Sequence, residues 1–250
     1  MEPVVVISGG GTGIGRASAR ALALAGNHVL ILGRRSEPLT QTAREIEAET
    51  RPGAVSSMTA DVSSPDDVAA VAEHVATTHG TIDAIVNNAG GSGGGAATSL
   101  SEVAASWRGA FDQNVLTAVL LTTALAPLLR RPGGRIVLVS SMASRTGGGA
   151  GAYGAAKAAL NGWVLALTTQ YAPEGITANV VAPGYTPDTE LFGAGMPEEI
   201  HDRIVGRTAA GRAGRSEDIA AVISFLASPQ ASFVTSQVIE VNGGTLPPNL

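Results

Sequence analysis

Tyr153 and Lys157 stand four residues apart in the stretch Tyr153-Gly154-Ala155-Ala156-Lys157. That spacing puts both side chains on one face if the stretch is helical. A phenol titrates near ~10 and is a poor base at neutral pH, but an ammonium one turn away favours the phenolate and lowers that value. With a carbonyl or carbinol oxygen beside the phenol, the pair can pass a proton to or from it. Alone the pair says little, because the chain has 3 Tyr and a Tyr–Lys contact on a helix surface is ordinary. The lysine is nevertheless the only one among 16 basic residues, so a flexible point charge stands where a planar guanidinium would fit differently.

The elements that would have to position this pair follow from the apolar runs. Strand-like segments are Val4–Ile7, His28–Leu32, Val55–Thr59, Ile82–Val86, Arg135–Val139, Thr177–Val181 and Gln237–Val241. Helical patterns lie between them, near Ile14–Ala25, Glu37–Glu49, Pro65–His79, Leu100–Leu129, Tyr153–Ala172 and Ser216–Ala227. Alternation of short apolar runs with longer helical ones predicts parallel βαβ units. Apolar residues at successive strand positions predict a sheet covered by helices on both faces. The fold class expected is therefore α/β, a Rossmann-type doubly wound three-layer sandwich with a seven-stranded parallel sheet, formed by residues 1–250 as a single domain.

Composition bounds the chemistry. Hydrophobic residues make up 44% and charged residues 15% of 250 residues, enough to build a sizeable core and unlike a disordered chain. A net charge of -5 argues against a nucleic-acid partner, which needs a basic surface. The absence of cysteine excludes disulfides, a thiolate nucleophile and a Cys-type metal site, and no metal is expected. The apolar run at Val4–Ile7 is too short to span a bilayer or to serve as a signal peptide, so no membrane partner and a cytoplasmic location are expected. His28, His74, His79 and His201 fall on patterns that read as surface.

The first strand runs into Ser8-Gly9-Gly10-Gly11-Thr12-Gly13-Ile14-Gly15 and then an alanine-rich helix. Glycines there allow a tight turn and close approach to a pyrophosphate, whose charge would rest on the N–H groups at the helix start. Further segments follow in order: Asp61-Val62, Asn87-Asn88-Ala89-Gly90, Asn114, Ser140-Ser141, Tyr153 with Lys157, Pro183-Gly184, and Val241-Asn242-Gly243-Gly244. In their order and spacing these segments resemble the short-chain dehydrogenase/reductase family over Val4 to Gly244, and within it the bacterial 3-oxoacyl-[acyl-carrier-protein] reductase-like members.

The resemblance implies a role for each segment. Tyr153 would be the general acid in reduction and the base in oxidation, and Lys157 would bond the nicotinamide ribose and depress the tyrosine pKa. Ser141 would hydrogen-bond the substrate oxygen. It is the second serine of the pair, as in the family, but Ser140 has the usual distance to the tyrosine and remains the alternative. Asn114 would hold a water in a proton relay from Lys157. Gly9, Gly11, Thr12, Gly13, Ile14 and Gly15 would cradle the diphosphate. Asp61 would bond the adenine amine with Val62 on the ring, and Asn87, Ala89 and Gly90 would form the floor under the adenosine ribose. Thr186 and Thr189, after Pro183 and Gly184, would contact the carboxamide and diphosphate.

Gly33, Arg34 and Arg35 end the second strand where NAD-preferring relatives carry an acid, so NADP(H) is favoured over NAD(H). A substrate lid is expected near 184–210, with Gly193 and Gly195 permitting motion and Leu191, Phe192, Met196 and Ile200 as pocket walls. The activity implied is hydride transfer between the cofactor and a small-molecule ketone or secondary alcohol. The alternatives are reduction of a 3-oxoacyl thioester and a catalytically idle dinucleotide-sensing protein. Glu174 would repel an acidic carrier protein, although Arg130 and Arg131 would attract one. A homotetramer is expected, assembled through the helices at 100–129 and 153–172 and through the last strand.

Overall fold

Every strand expected from the sequence forms, and all seven lie parallel in one sheet ordered β3-β2-β1-β4-β5-β6-β7. The computed structural model describes residues 2–92, 98–146, 151–189 and 196–245. The strands are β1 (Val4–Ser8), β2 (His28–Gly33), β3 (Val55–Thr59), β4 (Ala84–Asn87), β5 (Arg135–Val139), β6 (Thr177–Pro183) and β7 (Val238–Val241). The helices are α1 (Gly13–Leu24), α2 (Ser36–Glu49), α3 (Pro65–Thr78), α4 (Leu100–Phe111), α5 (Thr117–Leu125), α6 (Ala143–Thr146), α7 (Gly151–Tyr171), α8 (Glu198–Val205) and α9 (Ser216–Leu226).

Strand alternation sorts the apolar side chains into two cores. Val4 and Val6 of β1, Leu30 and Leu32 of β2 and Ile85 of β4 pack with Val71 of α3, Leu121 of α5 and Leu160 of α7. Val5, Ile7, Val29, Ile31 and Val86 face the other way, onto Leu22 of α1, Ile46 of α2 and Ile223 of α9. Side chains such as Ile7, Leu30 and Ile85 are wholly buried, and truncating one to alanine would cost about 2–5 kcal/mol. Sequence order reverses between β1 and β4, which pair through Val5–Ala84 and Ile7–Val86. Beyond the carboxyl ends of these two strands the connecting segments diverge and leave a crevice, the usual place for a ligand in an open α/β sheet.

The single helix expected over Leu100–Leu129 is broken. Its first part is fixed by a reciprocal cap, in which Ser99 Oγ accepts from the Glu102 N–H and the Glu102 carboxylate accepts from the Ser99 N–H. After Phe111 the backbone widens into a π-helical turn over Asp112–Leu116 before α5 resumes. Asn114 sits in that turn and donates one amide proton to Ala110 O and the other to Gly91 O, both at 2.9 Å. Its side chain thus competes for the backbone groups a regular helix would use. Other differences are small: Ile82 makes only a lone bridge to Leu129 ahead of β4, and α6 and α8 were not expected.

The histidines read as surface residues are half-buried. The His79 ring lies 4.9 Å from His28 and 6.3 Å from His74, and its Nε2 is enclosed without a hydrogen-bond partner. Burial, then the neighbouring His28 and His74, push its pKa below the ordinary histidine value. His201 is hydrogen-bonded to Tyr185.

Candidate active site

A cleft of about 290 Å³ runs across the carboxyl ends of six strands, β1 to β6. Its middle is the turn from β1 into α1. Gly9 and Gly13 have φ of +67° and +49°, conformations that favour glycine. Gly15 is required by close approach, since a Cβ there would lie 2.0 Å from Gly9 O. Thr12 caps α1 without a side-chain hydrogen bond, and the first turn carries no acid. The helix start, lined by Thr12, Gly13 and Ile14, therefore offers its N–H groups and partial positive charge to an anion. Gly9, Gly11, Thr12, Gly13 and Ile14 all line the cleft, whereas Gly15 lies behind it. This cradle of glycine backbone and helix-start N–H groups fits a diphosphate.

One end of the cleft is built by the segments after β2 and β3. Gly33, Arg34, Arg35, Asp61 and Val62 line it. Asp61 Oδ1 accepts from the N–H and Oγ–H of Ser63 at 3.0 and 2.6 Å. Those bonds, aided by the nearby Arg34 charge, hold its carboxyl below the usual carboxylate range. Ala89 and Gly90 form part of the floor, but Asn87 does not. Its side chain is buried on the opposite side and donates to Thr122 Oγ1 of α5 at 2.8 Å, because Asn87 shares strand parity with Ile85. The adjacent Asn88 faces the cleft instead, and its Nδ2 bonds Ser8 O and Gly9 O at 3.1 Å each. Ser8 Oγ in turn accepts from the N–H groups of Asn88 and Ala89. This lock between the β4 and β1 turns was not anticipated, although the doubled asparagine was its visible trace.

At the other end, Ser141, Tyr153 and Lys157 converge. The two serines separate cleanly. Ser140 keeps the parity of Ile136 and Leu138 and donates its Oγ–H to Lys157 O at 2.8 Å, tying β5 to α7. Ser141 turns the other way, hydrogen-bonds the Tyr153 hydroxyl and accepts from Ala143 N at 3.2 Å. Lys157 is 3% exposed, and its Nζ donates to Val139 O at 2.9 Å and lies 6.0 Å from the Tyr153 ring centre.

Burial lowers the Lys157 pKa to about 8. Burial also raises that of Tyr153, with a smaller opposing pull from the Ser141 hydrogen bond. The downward shift expected of this phenol is thus reversed in this geometry, where desolvation of the phenolate dominates.

Asn114 lies one layer beneath, 1% exposed. Besides its two donor bonds, its Oδ1 accepts from Gly91 N at 3.2 Å. A Cβ on Gly90 would meet Asn114 Oδ1 at 2.6 Å and Lys157 Nζ at 3.0 Å, so the glycine lets both side chains close on the floor. Gln113, adjacent in the π-helical turn, also lines the cleft and was missed, as nothing in its spacing marks it.

Pro183, Gly184, Thr186 and Thr189 form the remaining wall. A Cβ on Gly184 would sit 2.6 Å from Asn242 Cα, which explains the Val241–Gly244 motif as a buttress: Gly184 N donates to Val241 O at 2.9 Å. Met196 and Ile200 are half-buried, while Leu191, Phe192, Gly193 and Gly195 lie outside the described residues. Among the described residues, no cluster of His, Asp or Glu could hold a metal ion, and no helix is long and apolar enough to cross a membrane.

A doubly wound parallel sheet with a glycine-turn helix start at its switch point, and a serine, phenol and buried lysine at the next strands, defines a nicotinamide-dinucleotide oxidoreductase. Comparison with known proteins agrees. The family model described as enoyl-(acyl carrier protein) reductase matches residues 9–245. A 3-oxoacyl-[acyl-carrier-protein] reductase of Thermotoga maritima is 34% identical, covering 96% of each chain. A short-chain type dehydrogenase/reductase from Mycobacterium ulcerans superposes with a TM-score of 0.88 at 31% identity, over 98% of this chain and 90% of that one. A variant of actinorhodin polyketide ketoreductase, determined with NADPH, gives a TM-score of 0.84 at 29% identity over 98% and 97%. The chain belongs to the short-chain dehydrogenase/reductase family and is an NAD(P)-dependent enzyme of that family.

The divided serines predict divided phenotypes. Ser141→Ala should raise the apparent pKa of the Tyr153 phenol in an ultraviolet difference titration and leave the melting temperature nearly unchanged. Ser140→Ala should leave the phenol titration in place and destabilise the fold by about 1 kcal/mol, the value of one buried hydrogen bond. The reverse pattern would show that the serines had been assigned the wrong way round.

Proposed function

We propose that this protein is an NADP(H)-dependent ketone reductase, reversible as a secondary-alcohol dehydrogenase. The observation that carries the reading is the Tyr153 hydroxyl, bonded to Ser141 and backed by buried Lys157, in a cleft whose far end holds Arg34. When bound, the cofactor supplies a hydride to the carbonyl carbon. Tyr153 donates its proton to the carbonyl oxygen, and its high pKa keeps it protonated and ready as an acid in the reductive direction. Ser141 orients that oxygen by a second hydrogen bond. Lys157 holds the nicotinamide ribose and, with a pKa of about 8, can hand on a proton near neutral pH. Asn114, with both amide protons engaged by Gly91 O and Ala110 O, serves the relay by fixing the floor segment at Gly90 and Gly91 on which Lys157 closes.

Support for the 2′-phosphate comes from Gly33, which leaves room, and from Arg34 and Arg35 on the cleft wall. Residues 1–250 are read as one nucleotide-binding domain, with 184–210 on the substrate side. A free ketone is favoured over one borne by an acidic carrier protein. Arg130 is paired with Asp83 at 2.6 Å and Arg131 with Glu174, so neither presents an uncompensated charge to a partner. Similarity to the Thermotoga reductase favours the thioester alternative, so 3-oxoacyl thioesters belong in the test.

Assembly as a homotetramer is supported by α4, where Leu100, Val103, Trp107 and Phe111 recur at helical spacing and remain exposed. Leu100 is 88% exposed, and Leu165 on α7 is 58% exposed. Apolar stripes of this kind mark interfaces, and two-fold pairing at this face and at the β7 edge closes a 222 tetramer.

Two measurements test these readings. Fluorescence titration should show tighter binding of NADPH than NADH, and Arg34→Asp should reverse the order by replacing attraction to the 2′-phosphate with repulsion. Screening ketones and 3-oxoacyl thioesters for NADPH oxidation then names the substrate class; equal affinities and no turnover would refute the assignment. Sedimentation equilibrium should return four times the 25.0 kDa chain mass, and a monomer at micromolar concentration would rule the assembly out.

A further inference from the structure

The segment 184–189 forms one wall of the cleft, yet its fixation comes from outside the site. Gly214 N donates to Tyr185 O at 2.9 Å, and the Tyr185 hydroxyl and His201 Nδ1 of α8 are hydrogen-bonded at 3.0 Å. These contacts secure the beginning of the segment. Its far end is secured differently: Asp188 Oδ2 accepts from the backbone N–H of Ser216 at 3.1 Å, at the first residue of α9.

Three features give that bond more than local meaning. First, the residue preceding α9 is Arg215, which has no side-chain oxygen to cap the helix. The Asp218 carboxylate satisfies the Arg215 N–H at 2.9 Å, and Asp188 supplies an acceptor from a separate segment for the next N–H. Second, α9 packs along α1, and α1 begins in the glycine turn. Third, Thr189 lies directly over that turn: a Cβ on Gly13 would meet Thr189 Cγ2 at 3.3 Å. Thr189 is also held inward by its own Oγ–H bond to Thr186 O at 2.9 Å. One body, α1 with α9, therefore carries the phosphate-facing helix start and also anchors the wall that closes on it.

We propose that Asp188 is a positioning residue. Its carboxylate, pinned to the start of α9, holds Thr189 against the glycine turn and thereby sets the enzyme's affinity for its dinucleotide. The inference rests on the dinucleotide reading above. A carboxylate suits the place because the positive end of the α9 dipole stabilises it there, which also keeps its charge turned from the phosphate site. The acceptor matters more than the charge, so an amide oxygen should serve.

Binding of NADPH to the purified enzyme by fluorescence, beside thermal melts, separates positioning from plain stability. Asp188→Ala should raise the NADPH Kd about tenfold, a fraction of what one hydrogen bond to a charged group can contribute. Ser216→Pro removes the donor N–H, along with the buried serine hydroxyl, at a helix position where proline is accepted, and should raise the Kd by the same factor; Ser216→Ala, which loses the hydroxyl but keeps the N–H, should bind like the parent. The double variant of Asp188→Ala with Ser216→Pro should show no further loss, and Asp188→Asn should bind within about twofold of the parent. With substrate at hand, KM for NADPH should rise in step with Kd while kcat at saturation holds. A parent-like Kd for Asp188→Ala and Ser216→Pro, whatever their melting temperatures, would overturn the proposal. Failure of the parent itself to bind NADPH or NADH would instead overturn the dinucleotide reading, and the role of Asp188 with it.

Discussion

Lys157 is fastened to β5 at both ends. Its ammonium donates to Val139 O, and its backbone carbonyl accepts from Ser140 Oγ. Two bonds about one residue fix both the height and the rotation of α7 against the sheet. Because residues one turn apart share a helix face, fixing Lys157 also fixes Tyr153, whose hydroxyl then meets Ser141 just beyond the strand end. Asn114 and Gly90 close the far side of the same lysine. Removing this contact would leave a phenol on a helix with no defined partner.

The arrangement is costly in stability. A wholly buried lysine whose pKa falls from 10.5 to about 8 carries a penalty on the order of 3 kcal/mol when it is charged. Its single carbonyl bond does not remove that penalty. Functional sites commonly hold such groups, and the perturbed pKa values of Lys157 and Tyr153 lie together in the cleft as expected of an acid–base site. Burial acts on the two in opposite senses, so each favours its neutral form. A neutral phenol is the form a reductase needs, and a lysine near pH 8 can gain or lose a proton within the working range.

Much of this was legible in the sequence, for identifiable reasons. Strands buried on both faces read as unbroken apolar runs, and the Gly9–Gly15 spacing announced backbone signs and close approaches that only glycine permits. Its place as second of the pair pointed to Ser141 over Ser140, and strand parity counted from Ile85 would have turned Asn87 away from the cleft and Asn88 toward it. The π-helical turn at Asp112–Leu116 was hidden because residues 115–129 carry no charged side chain, so the change of helical phase it makes leaves no visible break in the pattern. The high pKa of Tyr153 was missed because spacing gives the distance to a charge but not the depth of burial. The Asp188–Ser216 bond joins residues 28 positions apart and has no local signature.

The central claim is that the Tyr153 hydroxyl delivers the proton. Its most direct test is Tyr153→Phe, which keeps the ring and removes only the O–H. NADPH affinity should stay within about twofold of the parent while ketone reduction at saturating cofactor falls at least ~100-fold, the low end for loss of a general acid. Turnover close to that of the parent would contradict the account.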